Sequence, residues 1–119
     1  MIDHLELKTQ RLSASARFYA DVLKPLGYEQ KLDGPAIGFG ESAGMDLFLV
    51  EGEPSANVHY AFAARSRSIV DKAWEVAKSA RYDLDQAPAL APHIHANYSA
   101  AYVRDPDGRL VEIVCQTSE

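Results

Sequence analysis

The chain repeats itself. An apolar run carrying a histidine, Ile2-Asp3-His4-Leu5-Glu6-Leu7, opens the first half, and a matching run, Val58-His59-Tyr60-Ala61-Phe62, opens the second. Each is followed by a serine-led amphipathic stretch. A duplication constrains a fold more than any single motif does, because equivalent strand positions of the two copies can be brought together. Histidines at matching positions can then converge on one point, and Glu112, near the end of the second copy, can join them there. Two neutral imidazoles and a carboxylate are the donors with which a protein holds a divalent metal while keeping positions open for a substrate.

Within the first copy, alternation predicts a strand around Ile2 to Lys8. Ser13 or Ser15 offers an N-cap for a helix whose face is Ala16, Phe18, Tyr19, Val22, Leu23 and Leu26, and Pro25 with Gly27 stops it. Short strands are expected at Tyr28 to Leu32, Ala36 to Phe39 and Asp46 to Val50, with Asp33-Gly34-Pro35 as a turn, so the order is βαβββ. The polar segment Glu51 to Asn57 links this copy to the next. There a helix opening at Ser66 or Ser68 is expected to bury Ile69, Ala73, Trp74, Val76 and Ala77. A short strand at Tyr82 to Gln86 and a long functional loop over Ala87 to Asn97 precede strands at Ser99 to Arg104 and Arg109 to Cys115.

The last hairpin carries its own register. In Asp105-Pro106-Asp107-Gly108, Pro106 presets φ and Gly108 takes the left-handed position of a bulged turn, so Asp105 closes opposite Arg109. Counting outward pairs Tyr102 with Glu112. Because side chains alternate, Ala100, Tyr102, Arg104, Leu110, Glu112 and Val114 share one face, and Ala101, Val103, Val111 and Ile113 form an apolar face for helices. The same counting from Gly44 makes Phe48 the first-copy equivalent of Glu112. Glu51, an odd offset further on, falls on the opposite face.

Composition bounds the function. With 119 residues, 47% of them apolar, the chain can build one core, and its length predicts a single domain over 1–119 with modules of about 1–51 and 57–116. A net charge of −5 and no Lys/Arg cluster argue against nucleic acid. No run approaches a membrane span and no basic leader precedes an apolar one. The lone Cys115 permits no internal disulfide, so a reducing, cytoplasmic setting is expected, with Cys115 as a small core residue.

Taken in order, these pieces resemble the glyoxalase, bleomycin-resistance and extradiol-dioxygenase group, the vicinal oxygen chelate superfamily. The resemblance rests on the strand with His4, on Ala16-Arg17-Phe18-Tyr19-Ala20-Asp21-Val22-Leu23 through Leu26-Gly27-Tyr28, on Val58 to Phe62, and on Asp105-Pro106-Asp107-Gly108-Arg109-Leu110-Val111-Glu112. It implies an α+β fold in which two βαβββ modules form a cupped mixed sheet with helices on the outer face. It also implies a divalent metal (Fe, Mn, Zn or Ni) held by His4, His59 and Glu112.

Departures narrow the activity. Glyoxalase I proper has a fourth ligand where this chain has Phe48, which argues against methylglyoxal isomerisation. Fosfomycin thiol transferases usually carry a hydroxyl residue two places after the first histidine and a basic tail, where Glu6 and Glu119 stand here. Extradiol dioxygenases match the triad in ligand type but are often longer. The resemblance leaves isomerisation, thiol addition and ring cleavage open. In each, a metal would polarise two vicinal oxygens of a small substrate, with His95, Tyr102 or a metal-bound water as the proton-transfer group and Phe48, Tyr102, Arg104 and His95 as substrate contacts. Two other classes remain, a metal-free binder that sequesters an antibiotic and a dimeric scaffold without ligand. Open strand edges predict a homodimer, with strands or modules exchanged between chains as one form. For His93 and His95 a solvated loop is the simpler reading, and Arg104 can serve only to pair with Asp107 or Glu112.

Overall fold

The computed structural model describes residues 2–55 and 57–118, so Glu119 lies outside the described residues. The first module runs β1 (Leu5–Thr9), α1 (Leu12–Leu23), β2 (Tyr28–Leu32), β3 (Ala36–Glu41) and β4 (Leu47–Glu51). The second runs β5 (His59–Ala63), α2 (Arg67–Ser79), β6 (Asp83–Leu90), β7 (Ser99–Arg104) and β8 (Leu110–Cys115). Each βαβββ module forms a four-stranded mixed sheet, ordered β1-β4-β3-β2 and β5-β8-β7-β6. The first and last strands of each module pair in parallel, and the remaining pairs are antiparallel.

Helix α1 buries Ser15, Phe18, Tyr19, Val22 and Leu23, the one-face spacing of its sequence. Its start differs from the serine cap expected. Arg11 is the N-cap with no side-chain bond, while Ser15 lies inside the helix, fully buried, with its hydroxyl 3.0 Å from that of Thr9. Pro25 and Gly27 end the helix as expected, through a 3₁₀ turn over Lys24–Leu26 closed by Gly27 N–H donating to Lys24 O at 2.9 Å. Helix α2 does begin at a serine cap, with Ser66 Oγ accepting from Ile69 N–H at 3.3 Å. Its fully covered face is Val70, Ala73 and Ala77, whereas Ile69, Trp74 and Val76 are half-buried.

The largest change from sequence expectation is β6. It continues to Leu90, through Ala87 and Pro88, and pairs Ala89 with Ala100 and Leu90 with Ser99. Pro88 is tolerated because β6 is an edge strand with irregular register between Gln86 and Ala89. The loop is shortened to residues 91–98, closed by Ala91 N–H donating to Tyr98 O at 2.7 Å.

The β7–β8 register is the one expected, with Tyr102 opposite Glu112 and Arg104 opposite Leu110. Gly108, at φ 87°, takes the left-handed position, and Asp105 N–H donates to Arg109 O at 3.0 Å. Ala101, Val103, Val111 and Ile113 are buried in a core shared by both modules, and Cys115 joins them with no exposure.

Besides this shared apolar core, a buried polar network joins the modules. Arg109 is 1% exposed, and its guanidinium donates to Asp105 Oδ2 at 2.9 Å, Asp107 Oδ2 at 3.2 Å and Ser55 O at 2.9 Å, and to Lys8 O. Tyr19 Oη of α1 donates to Asp105 Oδ2 at 2.6 Å and bonds to Tyr60 Oη of β5. A buried charge is tolerable only when paired and hydrogen-bonded, and here the partners come from β1, α1, the linker and the last hairpin. The Asp-Pro-Asp-Gly-Arg turn therefore fastens the second module to the first. Elsewhere between the modules Arg65 pairs with Glu41, and Tyr28 meets Phe62 edge-on at 5.7 Å.

Candidate metal and substrate site

Two half-sites arise from the repeated strands. In module 2, β5 lies beside β8 so that Ala61 pairs with Glu112, which puts His59 and Glu112 on one face with Tyr102. His59 Nε2 is 2.9 Å from Glu112 Oε1. The other carboxylate oxygen, Oε2, accepts from the Tyr98 hydroxyl. The His59 and Tyr102 rings lie 5.9 Å apart. Glu112 is 3% exposed, and the groups against it are the His59 imidazole and the Tyr98 and Tyr102 phenols, with no lysine or arginine bonded to it among the described residues. The carboxylate's face is open at His59, whose side chain is 51% exposed. By donor type and convergence the pair fits a divalent ion.

In module 1 the corresponding place is apolar. His4 stands edge-on to Phe48 with ring centroids 5.3 Å apart, and its Nδ1 lies 2.7 Å from Asp3 Oδ1. His4 and His59 line one groove of 510 Å³, with Tyr28, Asp46 and Ala61 among the other walls. Among the described residues, however, no three His, Cys, Asp or Glu side chains gather closely enough to hold a metal ion. His4 makes no hydrogen bond to the His59–Glu112 pair.

Tyr102 sits against the pair, and its phenol is raised above its ordinary pKa by burial first and by the Glu112 carboxylate second. Arg104 shares that face but is committed elsewhere, donating to Asp85 Oδ1 at 3.2 Å and Gly108 O at 3.1 Å. Neither Asp107 nor Glu112 is its partner. His95 is exposed in the turn after β6, and its Nδ1 accepts from Asn97 N–H at 3.2 Å. His93 lines a 190 Å³ pocket together with Ile94, Ala100 and Tyr102.

Sequence reading passed over Tyr98. Its pKa is pushed up to about 12, first by the hydrogen bond to Glu112 and then by burial. No periodicity marks it, since it stands between the turn and β7. The only signal was an aromatic residue at the exit of a segment expected to carry function.

With this geometry in view, the comparisons are direct. The sequence model of the Glyoxalase/Bleomycin resistance protein/Dioxygenase superfamily matches residues 1–113, and the chain belongs to that superfamily. Its fold is similar to a glyoxalase/bleomycin resistance protein from Albidiferax ferrireducens T118, with TM-score 0.81 at 20% identity over 98% of this chain and 99% of that one. It is also similar to lactoylglutathione lyase from Agrobacterium tumefaciens, with TM-score 0.69 at 24% identity over 97% and 92% of the two chains. A glyoxalase-related enzyme from Fulvimarina pelagi gives TM-score 0.73 at 22% identity over 97% and 87%. At these identities the structural likeness establishes the fold. No curated protein gives a significant sequence match. Among the described residues, no helix is long and apolar enough to cross a membrane.

Proposed function

We propose that this protein is a metal-dependent enzyme of the glyoxalase and dioxygenase type, acting on a small substrate through two vicinal oxygens. The observation that carries this reading is the buried Glu112 carboxylate, held against the His59 imidazole with no lysine or arginine bonded to it among the described residues. His59 and Glu112 are two of the ligands, and His4 is the third. Because His4 does not join them within one chain, the site is completed in a homodimer, where module 1 of a second copy brings its own His4 to the pair. A divalent ion held there supplies Lewis acidity toward the substrate oxygens.

The protein's own groups do the rest. Phe48 and Ala61 offer an apolar surface that excludes water from the reacting atoms. Tyr102, held above its ordinary pKa by burial and by Glu112, keeps its proton at neutral pH and so acts as an O–H donor. Arg104, tied to Asp85 and Gly108, stiffens the hairpin behind this face. His95, exposed in its turn, reaches a substrate only when that turn closes over the site. A reducing cytoplasm suits the buried free thiol of Cys115.

A mixing experiment tests both ligation and assembly. His4→Ala and Glu112→Ala proteins are each expected to lose most divalent-ion affinity in calorimetry, because removal of one of three ligands takes a large share of it. Mixed and allowed to exchange chains, they should regain one intact site per heterodimer. Lost affinity with no recovery on mixing places all ligands in one chain. Unchanged affinity in the Glu112 variant removes the triad, and a wild type that binds no divalent ion leaves a metal-free binder of small molecules.

A further inference from the structure

We infer that Tyr98 is a positioning residue for Glu112, one that occupies Oε2 and leaves the carboxylate only Oε1 to offer a metal ion. The inference rests on the reading of His59 and Glu112 as ligands. Its structural basis is independent of that reading.

The Tyr98 hydroxyl donates to Oε2, while Oε1 faces His59 Nε2 at 2.9 Å. Tyr98 is not a loose side chain. Its N–H donates to His95 O at 3.0 Å and its carbonyl accepts from Ala91 N–H at 2.7 Å, so both ends of its peptide frame are fixed by the turn that joins β6 to β7. Tyr102 lies directly across the ladder from Glu112. A carboxylate with both oxygens free can bind an ion through two bonds and fill a position that a chelating substrate needs. With one oxygen held by a phenol, the carboxylate would offer such an ion a single oxygen and leave room for a substrate. Partners of this kind orient ligands, and their loss typically lowers metal affinity by about 10- to 100-fold.

The test uses full-length protein, Co(II) as the probe ion, and Tyr98→Phe, which keeps the ring and deletes the hydroxyl. The wild type is expected to bind Co(II), and the variant to bind it about 10-fold or more weakly with an altered visible spectrum. In the metal-free protein, the infrared carboxylate stretch of Glu112 should shift on going to Tyr98→Phe. Metal-free Glu112→Gln reports the same bond from the other side, as a shift of the tyrosine C–O stretch. That arm serves even if the Phe variant folds poorly. A wild type that binds no Co(II) overturns the metal reading. A wild type that binds it, beside a Tyr98→Phe protein of equal affinity and spectrum or metal-free proteins with neither infrared shift, overturns the role of Tyr98.

Discussion

Phe48 occupies in module 1 the position that Glu112 occupies in module 2. Phe48 pairs across the ladder with Glu6, two residues after His4, and Glu112 pairs with Ala61, two residues after His59. The duplicated strands thus present a histidine and an aromatic ring on one side, and a histidine and a carboxylate on the other.

This equivalence predicts the effect of Phe48→Glu. Without metal, a carboxylate replacing the half-buried ring is expected to lower stability by about 1–3 kcal/mol, because it has no partner there. A divalent ion in excess should restore stability by binding the folded state, and its affinity should exceed that of the wild type. Denaturant titrations with and without the ion measure both. Wild-type protein, lacking this ligand, is expected to have negligible activity on the glutathione hemithioacetal of methylglyoxal. A variant matching the wild type in metal affinity and metal-free stability would overturn the assigned equivalence.

The buried guanidinium predicts a large single-residue effect. Arg109→Met leaves Asp105 buried with its charge uncompensated, and is expected to cost about 3–5 kcal/mol in urea denaturation. Adding Asp105→Leu should recover part of the loss, since the paired charges are then removed together. Additive losses would mean that the two residues do not act as a pair.

Gly40 is set by close approach of backbone. A Cβ placed there meets the carbonyl of Gly44 well inside van der Waals contact, and 2.7 Å separates it from the Cα of Met45. Gly40→Ala is therefore expected to cost about 1–3 kcal/mol, because backbone cannot rotate away as a side chain does. A thermal midpoint equal to that of the wild type would show that the turn after β3 relaxes freely.

Alkaline stability follows from the phenols at the module junction. Tyr19 and Tyr60 are both raised above their ordinary value of 10.0, burial being the largest cause in each. With folded-state values above the unfolded one, their contribution is full below about pH 10 and declines as pH rises, because the unfolded chain ionises first. The slope is about 1.4 kcal/mol per pH unit for each phenol. Tyr60→Phe should flatten the decline seen in denaturation midpoints between pH 9 and about pH 11.5, within the window these shifts define. A wild type equally stable across that range would contradict the burial of the pair.

Much of the architecture was legible in the sequence because it depends on local periodicity and turn chemistry. Helix α1 announces itself through Phe18, Tyr19, Val22 and Leu23, and Gly108 with Pro106 sets the register that places Tyr102 opposite Glu112. Past Gln86 the run Ala87-Pro88-Ala89-Leu90 lacks alternation and carries a proline, so its pairing as far as Leu90 was hidden. That strand is held by backbone bonds to β7, which sequence pattern does not record.

What the sequence by itself determined is the duplicated βαβββ order, the alternation of faces, and hence which residues can share a surface with Glu112. Only the tertiary structure decided that Arg109 is buried rather than exposed, that Ser15 bonds to Thr9 instead of capping α1, and that Tyr98 rather than His95 reaches Glu112. Periodicity and turns are properties of neighbouring residues. Pairing across 101 positions, as between Arg109 and Lys8 O, arises only when the two modules close on one another and each buried donor must find an acceptor.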